Sequence, residues 1–239
     1  MTNLRRMTAF LLVAVAFAAG CSDEIVCPGV GDPEQVPYVA ARVVERRAAG
    51  GDTTFVSVFC SADPVPVDFG ASVNSLTIPN ISLTDPLGRL ATREEERLIW
   101  VSGMRCTLTV ATNYGFAGAV ATVPGAFSVS AEASITLGDS LALGWTESPD
   151  ADYYTVYAVL DGGARGFVEL SDTTAATSAT FGTSSLPFPG TITGSVTAVS
   201  GPFPGPGAYG NVSGAGRGFF AVAYGDTLAE FEVVVLDTL

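Results

Sequence analysis

The chain has 239 residues and a net charge of −13, with 24 acidic groups against 11 basic ones, all arginine, and no histidine. So acidic a surface repels phosphate backbones and anionic headgroups, which argues against a nucleic-acid partner and against adhesion of the folded body to anionic lipid. Without histidine there is no Ser-His-Asp or Cys-His catalytic unit and no histidine-ligated zinc, so any acid–base chemistry falls to carboxylates, tyrosines and arginines.

At the N-terminus, Arg5 and Arg6 precede an apolar run over residues 9–19 that ends in Ala18, Ala19 and Gly20, directly before Cys21. The run is about half of the roughly 20 residues that a membrane-spanning helix needs, and the pattern is that of a cleaved secretory signal over residues 1–20. Phe17-Ala18-Ala19-Gly20-Cys21 resembles the bacterial lipobox, with Ala18 where leucine is most usual. The resemblance implies cleavage before Cys21, lipid on that cysteine, and membrane attachment through the lipid in a bacterial cell envelope. Ser22 after the cysteine resembles sorting to an outer membrane. Ordinary cleavage, leaving Cys21 a plain thiol, is the alternative. Residues 21–37 are acidic and punctuated by Pro28, Gly29, Gly31, Pro33 and Pro37, as expected of a tether.

A first β-rich region is expected over residues 38–124. Tyr38–Glu45 and Thr53–Cys60 read as a hairpin around Gly50-Gly51-Asp52. Val65–Phe69, Ala71–Ile78, Asn80–Leu83, Leu98–Ser102, Cys106–Ala111 and Ala117–Val123 follow as short strands divided by turn residues. Arg93-Glu94-Glu95-Glu96-Arg97 lacks apolar periodicity and is expected to form a charged loop or a short turn. Lipidation of Cys21 leaves Cys27, Cys60 and Cys106, so at most one intrachain bridge can form. Strand parity puts Cys60 with Val56 and Val58, and Cys106 with Leu108 and Val110. Both thiols then face the core and Cys60–Cys106 is the preferred disulfide, with Cys27–Cys106 its rival.

Pro124-Gly125 marks the expected boundary to a second region, residues 125–239. Its predicted strands are Phe127–Val129, Ala133–Leu137, Leu141–Trp145, Tyr153–Leu160, Phe167–Leu170, Ala176–Phe181, Thr191–Val199, Phe219–Tyr224 and Glu230–Leu236. Leu141-x-Leu143-x-Trp145-Thr146, then Tyr153-Tyr154-Thr155-Val156-Tyr157, then Gly194-Ser195-Val196-Thr197-Ala198-Val199-Ser200 resemble the fibronectin type III domain over roughly residues 127–225. The tyrosine that family carries early in its sixth strand is missing. The first region resembles an immunoglobulin-like module. Together these imply an all-β chain of two tandem antiparallel β-sandwiches after a cleaved signal peptide. Gly201–Gly218, rich in glycine and proline, reads as a long loop of functional or disordered type.

The candidate sites are few. Tyr153 and Tyr157 share an outward face and, with Phe203 and Tyr209, could form a ligand patch; the bland reading is ordinary surface tyrosines. Asp150 and Asp152, with Asp139 or Glu147, are a weak Ca²⁺ candidate against the simpler reading of turn residues. Asp63 and Asp68 are the only pair that suggests carboxylate hydrolysis, and turn formation accounts for both. No cofactor is implied. The expectation is a non-catalytic binding module for protein or glycan, with a structural accessory subunit of an envelope complex, or a carboxylate-dependent glycan-active enzyme, as the alternatives.

Overall fold

Alternating apolar and polar residues, rich in valine and threonine, give an all-β architecture whose sheets are largely antiparallel. The computed structural model describes residues 37–46, 53–61, 69–78, 80–81, 89–96, 101–112, 114–204 and 210–237, with 80–81 and 89–96 through their backbone. Cys21, Cys27, Asp63, Asp68 and Tyr209 lie outside the described residues.

The strands in chain order are β1 (Tyr38–Arg46), β2 (Thr53–Ser61), β3 (Phe69–Val73), β4 (Leu76–Ile78), β5 (Asn80–Ile81), β6 (Arg89–Glu96), β7 (Arg105–Thr112), β8 (Gly115–Thr122) and β9 (Val129–Ala131). Then come β10 (Ser134–Thr136), β11 (Leu141–Trp145), β12 (Tyr153–Asp161), β13 (Phe167–Thr174), β14 (Ser178–Phe181), β15 (Gly190–Ser200), β16 (Ser213–Gly214), β17 (Arg217–Gly225) and β18 (Glu230–Leu236). The β1–β2 hairpin pairs from Tyr38 opposite Ser61 to Arg46 opposite Thr53. Between β3 and β4, Asn74 and Ser75 have φ of 48° and 67°, the two positive values that a type I′ turn requires. Asn74 also accepts from the Thr107 N–H through its side-chain oxygen at 2.8 Å, which ties the turn to β7.

Ten strands form one sheet in the order β10-β18-β15-β17-β1-β2-β6-β5, with β12 on the other side of β15 and β13 beyond it. A five-stranded sheet, β16-β8-β7-β3-β4, and a three-stranded sheet, β14-β11-β9, complete the structure. Two large apolar clusters result among the described residues. One joins Val39, Val43, Val56 and Val58 of the large sheet to Val73, Leu108 and Val110 of the five-stranded sheet. The other joins Tyr154, Val156, Leu160, Ile192 and Val196 to Leu141, Leu143, Trp145 and Phe181. Val123 belongs to the first cluster and Phe127 to the second.

The junction between them is bonded on both sides. The Gly125 N–H donates to the Pro149 carbonyl at 2.8 Å, and the buried Ser148 hydroxyl donates to the Gly125 carbonyl at 2.6 Å. The Ser148 N–H in turn donates to the Tyr154 hydroxyl at 2.9 Å, so the junction is fastened to the inner face of β12.

The C-terminal part of the chain then returns to the first cluster. β17 pairs in parallel with β1 along nine residues, from Tyr38 opposite Arg217 to Arg46 opposite Gly225, and antiparallel with the end of β15. Phe220 and Val222 enter the first cluster and Tyr224 the second, while Ala221 and Ala223 pack on the opposite face with Tyr153 and Val199. The unbroken apolar run from Phe219 to Tyr224 is what a strand buried on both faces requires. Burial of each large apolar side chain in it contributes about 1.5–3 kcal/mol.

Four expectations are corrected. Arg89–Glu96 is a strand paired with β2 rather than a charged loop, and Val101-Ser102 lie outside any strand, with Ser102 in a turn. Within the segment 201–218, residues 210–218 are no free loop: Val212 is buried in the first cluster, and β16 pairs with Gly118 and Ala117 of β8. Cys60 and Cys106 both face the core, as parity predicts, but both are free thiols. Cys60 lies opposite Val39, whereas Cys106 is close enough to feel the Glu45 carboxylate. Val39 and Glu45 are six residues apart on β1, about 20 Å, so the two thiols sit near opposite ends of the strand.

Burial pushes the Cys60 thiol up to about 11; burial first, and then Glu45, push Cys106 up to about 12, against a hydrogen bond from Asn74. Both groups hold their proton more tightly folded than unfolded. Their contribution to stability is therefore complete below the ordinary thiol pKa, near 8.5, and is lost as pH rises through the folded values. In a Cys27→Ser protein, a thiol reagent at pH 8 should leave both cysteines unmodified until denaturant is added; prompt reaction under native conditions would contradict the burial.

Candidate binding cleft

The residues around the junction line a shallow, open cleft, bordered by Val120–Thr122 at the end of β8, the 150–152 turn before β12, and Ser200–Phe203 at the end of β15, with Asn211 beside them. Each wall is fixed by specific bonds. The turn closes through the Ala151 N–H to the Ser148 carbonyl at 3.2 Å, with Asp150 at φ 62°. Asp152 is fastened twice: its N–H donates to the Val199 carbonyl at 2.8 Å, and its carboxylate accepts the Gly201 N–H at 2.7 Å. The buried Ser200 hydroxyl oxygen accepts the Thr122 N–H at 3.2 Å, linking β8 to β15.

Asn211 closes the remaining side. Its side-chain oxygen accepts the Phe220 N–H at 2.7 Å and its amide donates to the Phe220 carbonyl at 2.9 Å, so it acts as one more rung of the ladder beside β17. It also reaches the Val120 carbonyl at 3.4 Å. Sequence reasoning noticed Asn211 only as a glycosylation-like match; its flanking glycine-rich context carries no signal for this role.

Of the aromatic residues named from the sequence, the fold brings two together. Phe203 lies edge-to-face on Tyr153 with ring centroids 5.3 Å apart. Tyr153 is itself only 7% exposed, so it is the support and Phe203, 44% exposed, is the surface. Tyr157 lies four residues further along β12, about 13 Å away, and is half-buried beside Glu169. Phe203 and Tyr157 therefore do not share one patch, and Tyr209 lies outside the described residues. Burial holds the Tyr153 hydroxyl above the usual range, with Arg42 opposing and Asp152 adding to the effect. Burial likewise lowers the Arg42 pKa. For Tyr157, burial and then Glu169 raise the hydroxyl.

Ser200, the buried hydroxyl, accepts the Thr122 backbone N–H. The Ca²⁺ candidates gain nothing from the fold: Asp152 spends one carboxylate oxygen on Gly201, and no group of three metal-binding acids, thiols or histidines occurs among the described residues. Asp139 is committed elsewhere, its carboxylate accepting the Thr136 N–H at 3.1 Å.

No known protein family matches the chain, and no curated protein matches it. Among solved structures, the human OSCAR ligand-binding domain aligns with 16% identity over 76% of this chain and 95% of its own, at a TM-score of 0.25. A likeness of that degree carries no argument about fold or function.

Proposed function

We propose that the protein is a lipid-anchored, non-catalytic binding module of a bacterial cell envelope, built from immunoglobulin-like and fibronectin type III-like sandwiches, and that it takes a protein or glycan ligand at the cleft. The observation that carries the binding reading is Phe203, a half-exposed aromatic ring packed on Tyr153 between an acidic turn and the end of β8. An exposed aromatic ring beside a few oriented polar groups is a usual composition of a recognition site. Lipidation at Cys21 supports placement at the envelope and rests on the lipobox-like residues alone.

Two expected outcomes follow. Replacing Cys21 with serine releases the protein from membrane to soluble fraction in the host that lipidates it; unchanged partition would refute the anchor. The released protein, screened on immobilised envelope glycans and purified envelope proteins, binds a defined ligand that Phe203→Ala weakens about tenfold or more, as for an anchor residue at an interface centre. Binding indifferent to Phe203→Ala removes the cleft from the mechanism. Co-purification in a fixed stoichiometry, with no ligand recognised by the cleft, favours the structural-subunit reading instead.

A further inference from the structure

Exposed sheet edges are templates for pairing with other chains, and most proteins shorten or obstruct them. Two edges of the ten-stranded sheet follow that rule, since β10 has three residues and β5 two. β13 does not. It is eight residues long, contains no proline, pairs with β12 along its whole length from Phe167 opposite Asp161 to Thr174 opposite Tyr154, and has no described strand on its other side.

Which backbone groups face outward can be read from one bond. The Thr173 N–H donates to the Asp172 carboxylate at 2.8 Å, so it is turned away from the ladder with β12 and capped locally. In an antiparallel pair the outward groups fall on alternate residues, so those of Ser171, Glu169 and Phe167 face the same way. No described group takes the backbone N–H of Glu169 or Ser171. The flanking side chains are exposed: Phe167 at 70% and Glu169 on one face, Asp172 on the other.

We propose that β13 is a docking edge for an extended, basic segment of a partner protein. The segment adds as a further strand, with an apolar residue beside Phe167 and an arginine or lysine two positions along beside Glu169. A partner recognised this way gains main-chain hydrogen bonds for affinity and alternate side-chain contacts for specificity. The choice of a basic occupant follows from charge: Glu169 and Asp172 line an edge of a chain whose net charge is −13. A second copy is the poorer occupant. In antiparallel registers centred on Glu169, Leu170 or Ser171, either the two Glu169 or the two Asp172 carboxylates come to lie opposite or diagonal to each other, which is destabilising. The edge lies away from the cleft, and the proposal does not depend on it.

The test uses three synthetic decapeptides against the Cys21→Ser chain: one alternating threonine with valine and arginine, one with glutamate in place of arginine, and the arginine peptide with prolines at the threonine positions. The expected result is saturable binding of the first alone, with the Glu169 and Ser171 amides protected from hydrogen exchange. Ser171→Pro removes an outward N–H but no bond to β12, and should weaken binding about tenfold or more. Glu169→Arg, at an exposed position whose carboxylate also lies beside the Tyr157 hydroxyl, should weaken the basic peptide about fivefold and favour the acidic one. Equal binding of the proline peptide, or wild-type affinity in both variants, would overturn the proposal. So would a concentration-dependent dimer that Ser171→Pro abolishes, because the edge would then belong to a second copy.

Discussion

A chain ending at Pro124 is expected not to fold, although it contains every strand of the first β-rich region predicted from the sequence. Val212, Phe220 and Val222 would be missing from the first cluster, and β1 would lose its parallel partner over nine residues. Removing a fully buried phenylalanine alone costs about 3–5 kcal/mol, and total stabilities are about 5–15 kcal/mol. Deleting three core side chains and a full ladder therefore consumes most of what such a unit has. Circular dichroism of the 36–124 chain should show no cooperative melting transition, where the intact protein shows one. A sharp transition in the short chain would mean that the first cluster is complete without β17.

Gly218→Ala is the point substitution expected to do most damage. Gly218 opens β17 at φ 133°, a conformation that side-chain-bearing residues rarely adopt, and a Cβ there would overlap the Val39 carbonyl. The Gly218 carbonyl also accepts the Val212 N–H at 3.2 Å, and a Cβ on Gly210 would in turn overlap that same carbonyl. Three segments thus meet at one glycine with no room for a methyl group. Backbone strain of about 1–3 kcal/mol adds to the displacement of β17 from β1, for a loss of roughly 3 kcal/mol or more. For a chain of this size that lowers the melting temperature by roughly 6–12 °C. Gly70→Ala is the control: Gly70 lies in β3 with nothing within 4 Å of a built Cβ and an ordinary φ. It should melt within about 2 °C of the parent, in keeping with the few tenths of a kcal/mol such surface changes carry. Similar melting of both variants would show that the β1–β17 seam tolerates separation.

What the amino-acid sequence determined by itself is the local structure. Period-two alternation placed Val39, Ala41 and Val43 of β1 and Leu141, Leu143 and Trp145 of β11 on buried faces, because side-chain direction along a strand depends only on parity. Parity likewise turned Cys60 and Cys106 inward. It could not measure the distance between them, which depends on which ends of β1 they approach, and so the bridge expected from the sequence is absent.

The tertiary structure decided the pairing of distant strands. The glutamates of β6 have low strand propensity, yet β2 offers that segment a ladder over eight residues, and context overrides propensity. Glycine and proline across 201–218 read locally as a loop, whereas a Cβ on Gly210, Gly216 or Gly218 would meet Gly218, Ala117 or Val39. The cleft belongs to the same level. Asp152 meets Ser200, Phe203 and Asn211 because β17 turns back between β1 and β15, and a contact between residues 48 to 59 positions apart leaves no periodic trace in the chain that makes it.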